Sequence, residues 1–418
     1  MKYSLERSLL IVALLVFGSC GAKKQVSPQK EATEKKPIFE FTYRMVKEVF
    51  PGANDYTNYL PLLEGKKVGI VTNQTGIIQA SRVDTSSKKK DVSIVDFLVE
   101  KNISVQKILA PEHGFRGTAD AGELIKDGKD TQTGLPIISL YGNNKKPSAE
   151  QLAGIDILVF DLQDVGARFY TYISSLHYIM EACAENKIPL LVLDRPNPNI
   201  AIIDGPILEK KFTSFVGMHP VPLLHGMTIG EYAQMINGEK WLKNGIQCNL
   251  KVIKCLNYNR ESTYSLPVKP SPNLPNDQAI NLYASLCLFE GTNVSVGRGT
   301  EKQFQIYGSP FLPNSGFSFT PVPNFGAKDP VHKGVLCYGE DLTKIEKVTQ
   351  LELKWLISAY QNTADQSKFF NDFFTKLAGT TKLQQQIVDG VSETEIRKSW
   401  EKGLRDFKQM RAKYLLYP

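Results

Sequence analysis

Several chemistries are missing from this 418-residue chain. No Gly-x-Ser-x-Gly elbow occurs, so a serine hydrolase of that type has no nucleophile to offer. No Gly-Lys-Ser/Thr closes a glycine-rich loop, which removes a P-loop. The glycine-rich run Phe289–Thr300 follows a helical stretch rather than a strand, and its glycine spacing does not suit a dinucleotide. Cysteine and histidine are scarce, at six and five residues. No pair of them has zinc spacing, so no metal site is expected. Cys183, Cys248, Cys255, Cys287 and Cys337 are widely spread and argue against a disulfide framework. Buried free thiols are the expectation, with a Cys248–Cys255 bridge as the alternative. Excess charge is also small. The formal net charge is +7, of which +3 falls on residues 22–37 and +1 on the first twenty residues. The remaining body sits near +3, which is no nucleic-acid footprint. No internal repeat is visible.

What is present begins at the N-terminus. Lys2 and Arg7 precede an unbroken apolar run, Leu9–Phe17, and Gly18-Ser19-Cys20 follows. That order is a secretory signal with a lipobox-like ending. The run has nine residues, whereas a spanning helix needs about 20. The expectation is a signal over residues 1–20, a lipid on Cys20, and membrane contact through that lipid only. The protein is then expected at the cell envelope, in the periplasm or on the outer membrane. Residues 22–37 are rich in Lys, Glu, Gln and Pro and cannot bury enough apolar surface to offset ordering. Residues 21–44 are therefore expected to be a disordered tether.

The body alternates strand and helix patterns. Val68–Thr72, Ser104–Ala110, Pro136–Tyr141, Ile157–Asp161 and Pro189–Leu193 are short apolar runs. Val92–Lys101 and Tyr172–Asn186 have helical spacing between them. This predicts an α/β domain over 45–240 with an open, mostly parallel sheet. A second, smaller α/β domain is expected over 241–418. Its clearest helix is predicted over Ser392–Leu415, where Ile396, Trp400, Leu404, Phe407 and Met410 share one face.

Ligands bind open parallel sheets at the carboxyl ends of the strands. Asn73 follows the first strand. Glu112, His113 and Arg116 follow the second, with Glu123 a little further on. Tyr141 ends the third, and Asp161, Asp164, Arg168 and then Tyr172 follow the fourth. Turn and capping roles explain any one of these equally well, and Arg168 has Asp161 or Asp164 as a structural alternative. So many charged groups on one rim nevertheless require partners or a ligand. Downstream, His225 precedes Thr228 and Glu231, whose spacing is a capping box. Ser271–Pro275 forms a rigid loop. Glu290, Asn293 and Arg298 mark the glycine-rich loop as ligand-facing. Carboxylates beside arginines and aromatics suit glycosyl transfer, where one carboxyl donates a proton and another stabilises or attacks. They suit carbohydrate binding equally well.

The motifs NQTG, PEHGFRG, SLYG, DLQDVGARFYTYI, LDRPNP, HGMTIGE, SPNLP and LFEGTNVSVGRGT occur in this order. In them the chain resembles the NamZ-type exo-acting β-N-acetylmuramidases over about residues 60–418. The resemblance implies a Rossmann-like domain, a smaller C-terminal α/β domain, and an active site in the cleft between them. It implies release of N-acetylmuramic acid from the non-reducing end of peptidoglycan fragments, without a cofactor. It points to Glu112 as the catalytic acid and leaves the second group open among Asp161, Asp164, Glu290 and the substrate's own acetamido group. N-acetylmuramic acid carries a lactyl carboxylate, for which a guanidinium is the natural reader. Arg168, Arg298 and Arg116 are the candidates, with Tyr141 and Tyr172 as possible stacking surfaces. Two rivals remain: a non-catalytic muropeptide-binding lipoprotein, and an amidase or esterase using His113 or His225 as base.

Overall fold

The computed structural model describes residues 47–82, 90–112, 114–116 and 127–418. The expected signal, Cys20 and the tether lie outside the described residues, as do His113 and Glu123.

The apolar runs form one seven-stranded sheet. Its strands are β1 (Lys67–Thr72), β2 (Ser104–Ala110), β3 (Gly128–Lys129), β4 (Pro136–Ser139), β5 (Ile157–Asp161), β6 (Leu190–Leu193) and β7 (Leu250–Ile253). Their order is β7-β6-β5-β1-β2-β4-β3. All pairs are parallel except β3 on β4. Alternate side chains serve opposite faces. Val71, Leu109, Phe160 and Val192 pack under the helices Tyr172–Glu185 and Ile229–Gly238. Ile70, Ile108, Val159 and Leu191 pack under the helices Tyr56–Leu63 and Ile94–Glu100. Both faces are covered, which is why these strands are almost continuous apolar runs. The chain moves outward from β1 through β2 to β4, then returns to lay β5 against the other side of β1. That reversal opens a crevice beyond the carboxyl ends of β1 and β5.

The C-terminal half adds an antiparallel sheet of β8 (Ile306–Ser309), β9 (Ser318–Phe319) and β10 (Cys337–Asp341), in the order β8-β10-β9. Its helices pack on the core that underlies the large sheet.

Two boundaries differ from the sequence expectation. The large sheet does not end before residue 240, because β7 pairs in parallel with β6. Lys47–Pro418 forms one compact unit with a shared core. The C-terminal helix is also two helices, Glu393–Lys398 and Glu401–Ala412. At the break, the Ser399 hydroxyl donates to the Ile396 carbonyl at 2.5 Å. Such back-bonding competes with the helical ladder. The predicted apolar face survives the break, with Ile396, Trp400 and Phe407 all buried. Cys183, Cys248, Cys255, Cys287 and Cys337 are buried free thiols.

Candidate active site

Glu112 stands two residues beyond β2, beside the crevice. Its Oε2 accepts from the Thr171 hydroxyl at 2.9 Å, and its backbone carbonyl accepts from the Tyr172 hydroxyl at 3.3 Å. The Tyr141 hydroxyl is also hydrogen-bonded to its carboxylate. Burial, then the charge of Glu112 and this bond, push the Tyr141 phenol up to about 12. The phenol therefore keeps its proton at neutral pH and acts as a donor. Two hydroxyls from separate loops thus fix one carboxylate.

A cavity of about 130 Å³ opens on Glu112. Glu290 and Arg298 line it from the C-terminal half, beside an aromatic wall that includes Phe169, Tyr170, Tyr283 and Phe304. The rings of Phe169 and Tyr283 meet edge to face, as do those of Tyr283 and Phe304. Glu290 Oε1 accepts from Arg298 Nε at 2.6 Å, and Glu290 Oε2 accepts from the Cys287 thiol at 3.4 Å. The Arg298 guanidinium lies over the Phe304 ring, 5.2 Å from its centroid. Its Nη atoms form no hydrogen bond with the described residues, and Arg298 lines the cavity. A second cavity of about 270 Å³ shares Glu290 and Arg298 as its wall. A larger cavity of about 410 Å³, lined by Asn199, Arg260 and Asn281, contains none of these groups.

Other predicted site residues play different parts. Asp161 is fully buried in a bidentate pair with Arg195, at 2.6 and 2.9 Å. It is a structural carboxylate and has no access to the cavity. Asp164 is also buried. Its Oδ2 accepts from the Gly166 amide at 2.7 Å, bracing a turn where Gly166 has a φ of +81°. Burial pushes Asp164 up to about 7. Arg168 reads no ligand and pairs with neither aspartate. It is fully buried and donates to the carbonyls of Pro206, Val221, Leu377 and Ala378. Burial lowers it to about 9, which still leaves it charged at neutral pH. Arg116 is turned to Asp130 at 2.9 Å and Asp96 at 3.4 Å. His225 is buried under the Tyr232 ring, with Nε2 3.7 Å from Asp164 Oδ2. It has no place in the cavity wall, which removes it as a catalytic base.

Asn73 and Tyr172 act behind the site. Asn73 Nδ2 donates to the Tyr172 hydroxyl at 2.6 Å, and that hydroxyl supports the Glu112 carbonyl. Tyr172 borders the cavity and rests against Tyr170 edge to face. Asn293 binds through its backbone, its carbonyl accepting from His332 Nε2 at 2.7 Å. Thr171 and Asn273 were not singled out from the sequence, although both fall inside quoted motifs and both line the cavity. Glu231 is structural, as its spacing from Thr228 indicated, and so is Asp194. Asp194 accepts from the Thr228 hydroxyl at 2.7 Å, and Thr228 and Glu231 form the predicted capping box.

Residues 68–278 match the N-terminal domain of the family described as exo-beta-N-acetylmuramidase NamZ, and residues 281–417 match its C-terminal domain. The peptidoglycan beta-N-acetylmuramidase NamZ of Bacillus subtilis is 38% identical, covering 97% of this chain and 98% of that protein. A solved DUF1343 family protein from Bacteroides fragilis has a TM-score of 0.79 at 42% identity, covering 89% of this chain and 99% of that one. A second from the same organism has a TM-score of 0.74 at 29% identity, covering 88% of this chain and 99% of that one.

Proposed function

The chain belongs to the exo-β-N-acetylmuramidase NamZ family, and from that premise we propose how it releases N-acetylmuramic acid from the non-reducing end of peptidoglycan fragments. The observation that carries the assignment of roles is the sharing of one cavity by Glu112, Glu290 and Arg298. Two carboxylates on one cavity are what glycoside hydrolysis needs. Glu112 protonates the leaving glycosidic oxygen, and the Thr171 and Tyr141 hydroxyls hold its carboxyl in place. Glu290 is the second carboxylate. With Arg298 on one oxygen and the Cys287 thiol on the other, it is a fixed negative charge that stabilises the oxocarbenium-like transition state. Arg298 then serves both carboxylates. Its Nε holds Glu290, and its Nη face takes the lactyl carboxylate that marks N-acetylmuramic acid.

The test is release of N-acetylmuramic acid from its β-1,4-linked disaccharide with N-acetylglucosamine by the wild type and a Glu112→Gln variant, beside p-nitrophenyl β-N-acetylmuramide, whose weakly basic leaving group departs without a proton. Removing a positioned general acid costs about 10²–10⁴-fold. The expected result is wild-type turnover lost by that order in a variant with an unchanged far-UV spectrum. Disaccharide turnover that survives in Glu112→Gln would move the acid elsewhere.

A further inference from the structure

Asn273 is the most deeply placed amide in the cavity wall. It is 1% exposed, borders the same cavity as Glu112, and sits in the loop before the helix Asp277–Leu286. That loop is anchored by the Tyr170 hydroxyl, which donates to the Pro270 carbonyl at 2.7 Å. The orientation of the Asn273 amide follows from its neighbour. Its Nδ2 donates to the Gly326 carbonyl at 2.5 Å, and a carbonyl can only accept. The Oδ1 is thereby the free end, and it has no hydrogen-bond partner among the described residues. A buried polar atom without a partner costs stability unless something supplies one. Gly326 leaves room beside this buried oxygen, since a Cβ there would stand 3.0 Å from it.

The surroundings select the ligand group. The cavity also presents Leu274, Phe169, Val216 and Phe304. A neutral acceptor beside an apolar wall complements an acetamido group, with the N–H on the oxygen and the methyl on the hydrocarbon. We propose that Asn273 is a specificity-determining residue that accepts the N–H of the substrate's acetamido group. The inference rests on the muramidase reading of this cavity.

The experiment is calorimetric binding of two sugars to the full chain: N-acetylmuramic acid, and its counterpart with a hydroxyl in place of the acetamido group. The expected wild-type preference for the acetamido sugar is about tenfold or more. Asn273→Ala is expected to bind both sugars with equal affinity. Gly326→Ala leaves the asparagine in place and crowds its oxygen, so it is expected to lose the preference too. It also carries the test if Asn273→Ala fails to fold. A preference retained in the folded variants overturns the proposal, as does a variant that weakens both sugars equally. A wild type that binds neither sugar and releases no p-nitrophenol overturns the muramidase reading itself, and this inference with it.

Discussion

At the scale of single residues, the division of labour within Arg298 is the feature that bears most on specificity. Its Nε is committed to Glu290 at 2.6 Å, and its guanidinium is seated over Phe304. A lysine can keep the charge but cannot hold Glu290 and a second carboxylate with one planar fork. Arg298→Lys is therefore expected to raise KM for the muramide about tenfold. The N-acetylglucosaminide analogue has no lactyl group, so any turnover of it should change much less. Steady-state kinetics on the pair of substrates reads this directly, and an equal loss on both would remove Arg298 as the reader. Cys287 belongs to the same unit. Burial, then the charge of Glu290, raises its thiol well above the usual range, so it remains a protonated donor to that carboxylate.

At the scale of elements, Arg168 shows why a charge in a glycine-containing loop misleads. Before the structure, it looked like a carboxylate reader just past β5. Its real partners are backbone carbonyls at 206, 221, 377 and 378, and no local pattern announces a bond across two hundred residues. Two of those carbonyls end the helix Phe373–Ala378, where a cation is favoured. Gly379 completes the fit. Its φ is +74°, and a Cβ there would come within 2.6 Å of Arg168 Nη2. Arg168→Met strips four buried carbonyls of their donor and is expected to cost roughly 3 kcal/mol or more. Urea denaturation checks this, and a loss below about 1 kcal/mol would mean that these four bonds do not hold the fold together. The strands were legible for the opposite reason. β1 beyond Lys67, β5 and β6 are buried on both faces, so their sequences are mostly apolar. β7 was missed because it is an edge strand with Lys251 exposed, and four residues of mixed pattern resemble a loop. Glu112 was legible through its motif. Thr171 and Asn273 do not stand out within their motifs, because a hydroxyl or amide acquires its role from the partner brought to it by folding.

At the scale of the whole molecule, burial of ionisable groups beneath the site sets how stability responds to pH. Asp164 lies in the shared interior with one oxygen unpartnered, and its neighbour His225 has an unpartnered Nε2. Burial pushes Asp164 up from 3.8 to about 7 and pushes His225 down from 6.5 to about 3. Both shifts favour the uncharged form in the folded state, but they act in opposite directions on stability. The folded protein holds the Asp164 proton more tightly than the unfolded chain does. Its ionisation therefore costs stability in full above about pH 7, and that cost fades as the pH falls to about 3.8. For His225 the unfolded chain takes up the proton first. The stability it contributes is complete above about pH 6.5 and is lost as the pH falls toward about 3. Each shift corresponds to a few kcal/mol at about 1.4 kcal/mol per unit. Substitution separates the two effects. Asp164→Asn keeps an acceptor for the Gly166 amide without the ionisable proton, so its stability relative to wild type should rise from pH 4 to pH 8. His225→Gln removes the imidazole, so its stability should fall less steeply than that of wild type between pH 6.5 and pH 4. Urea midpoints for the three proteins across pH 4–8 decide the matter. Parallel curves would mean that neither group titrates in the interior, and that the acid sensitivity of the fold arises elsewhere.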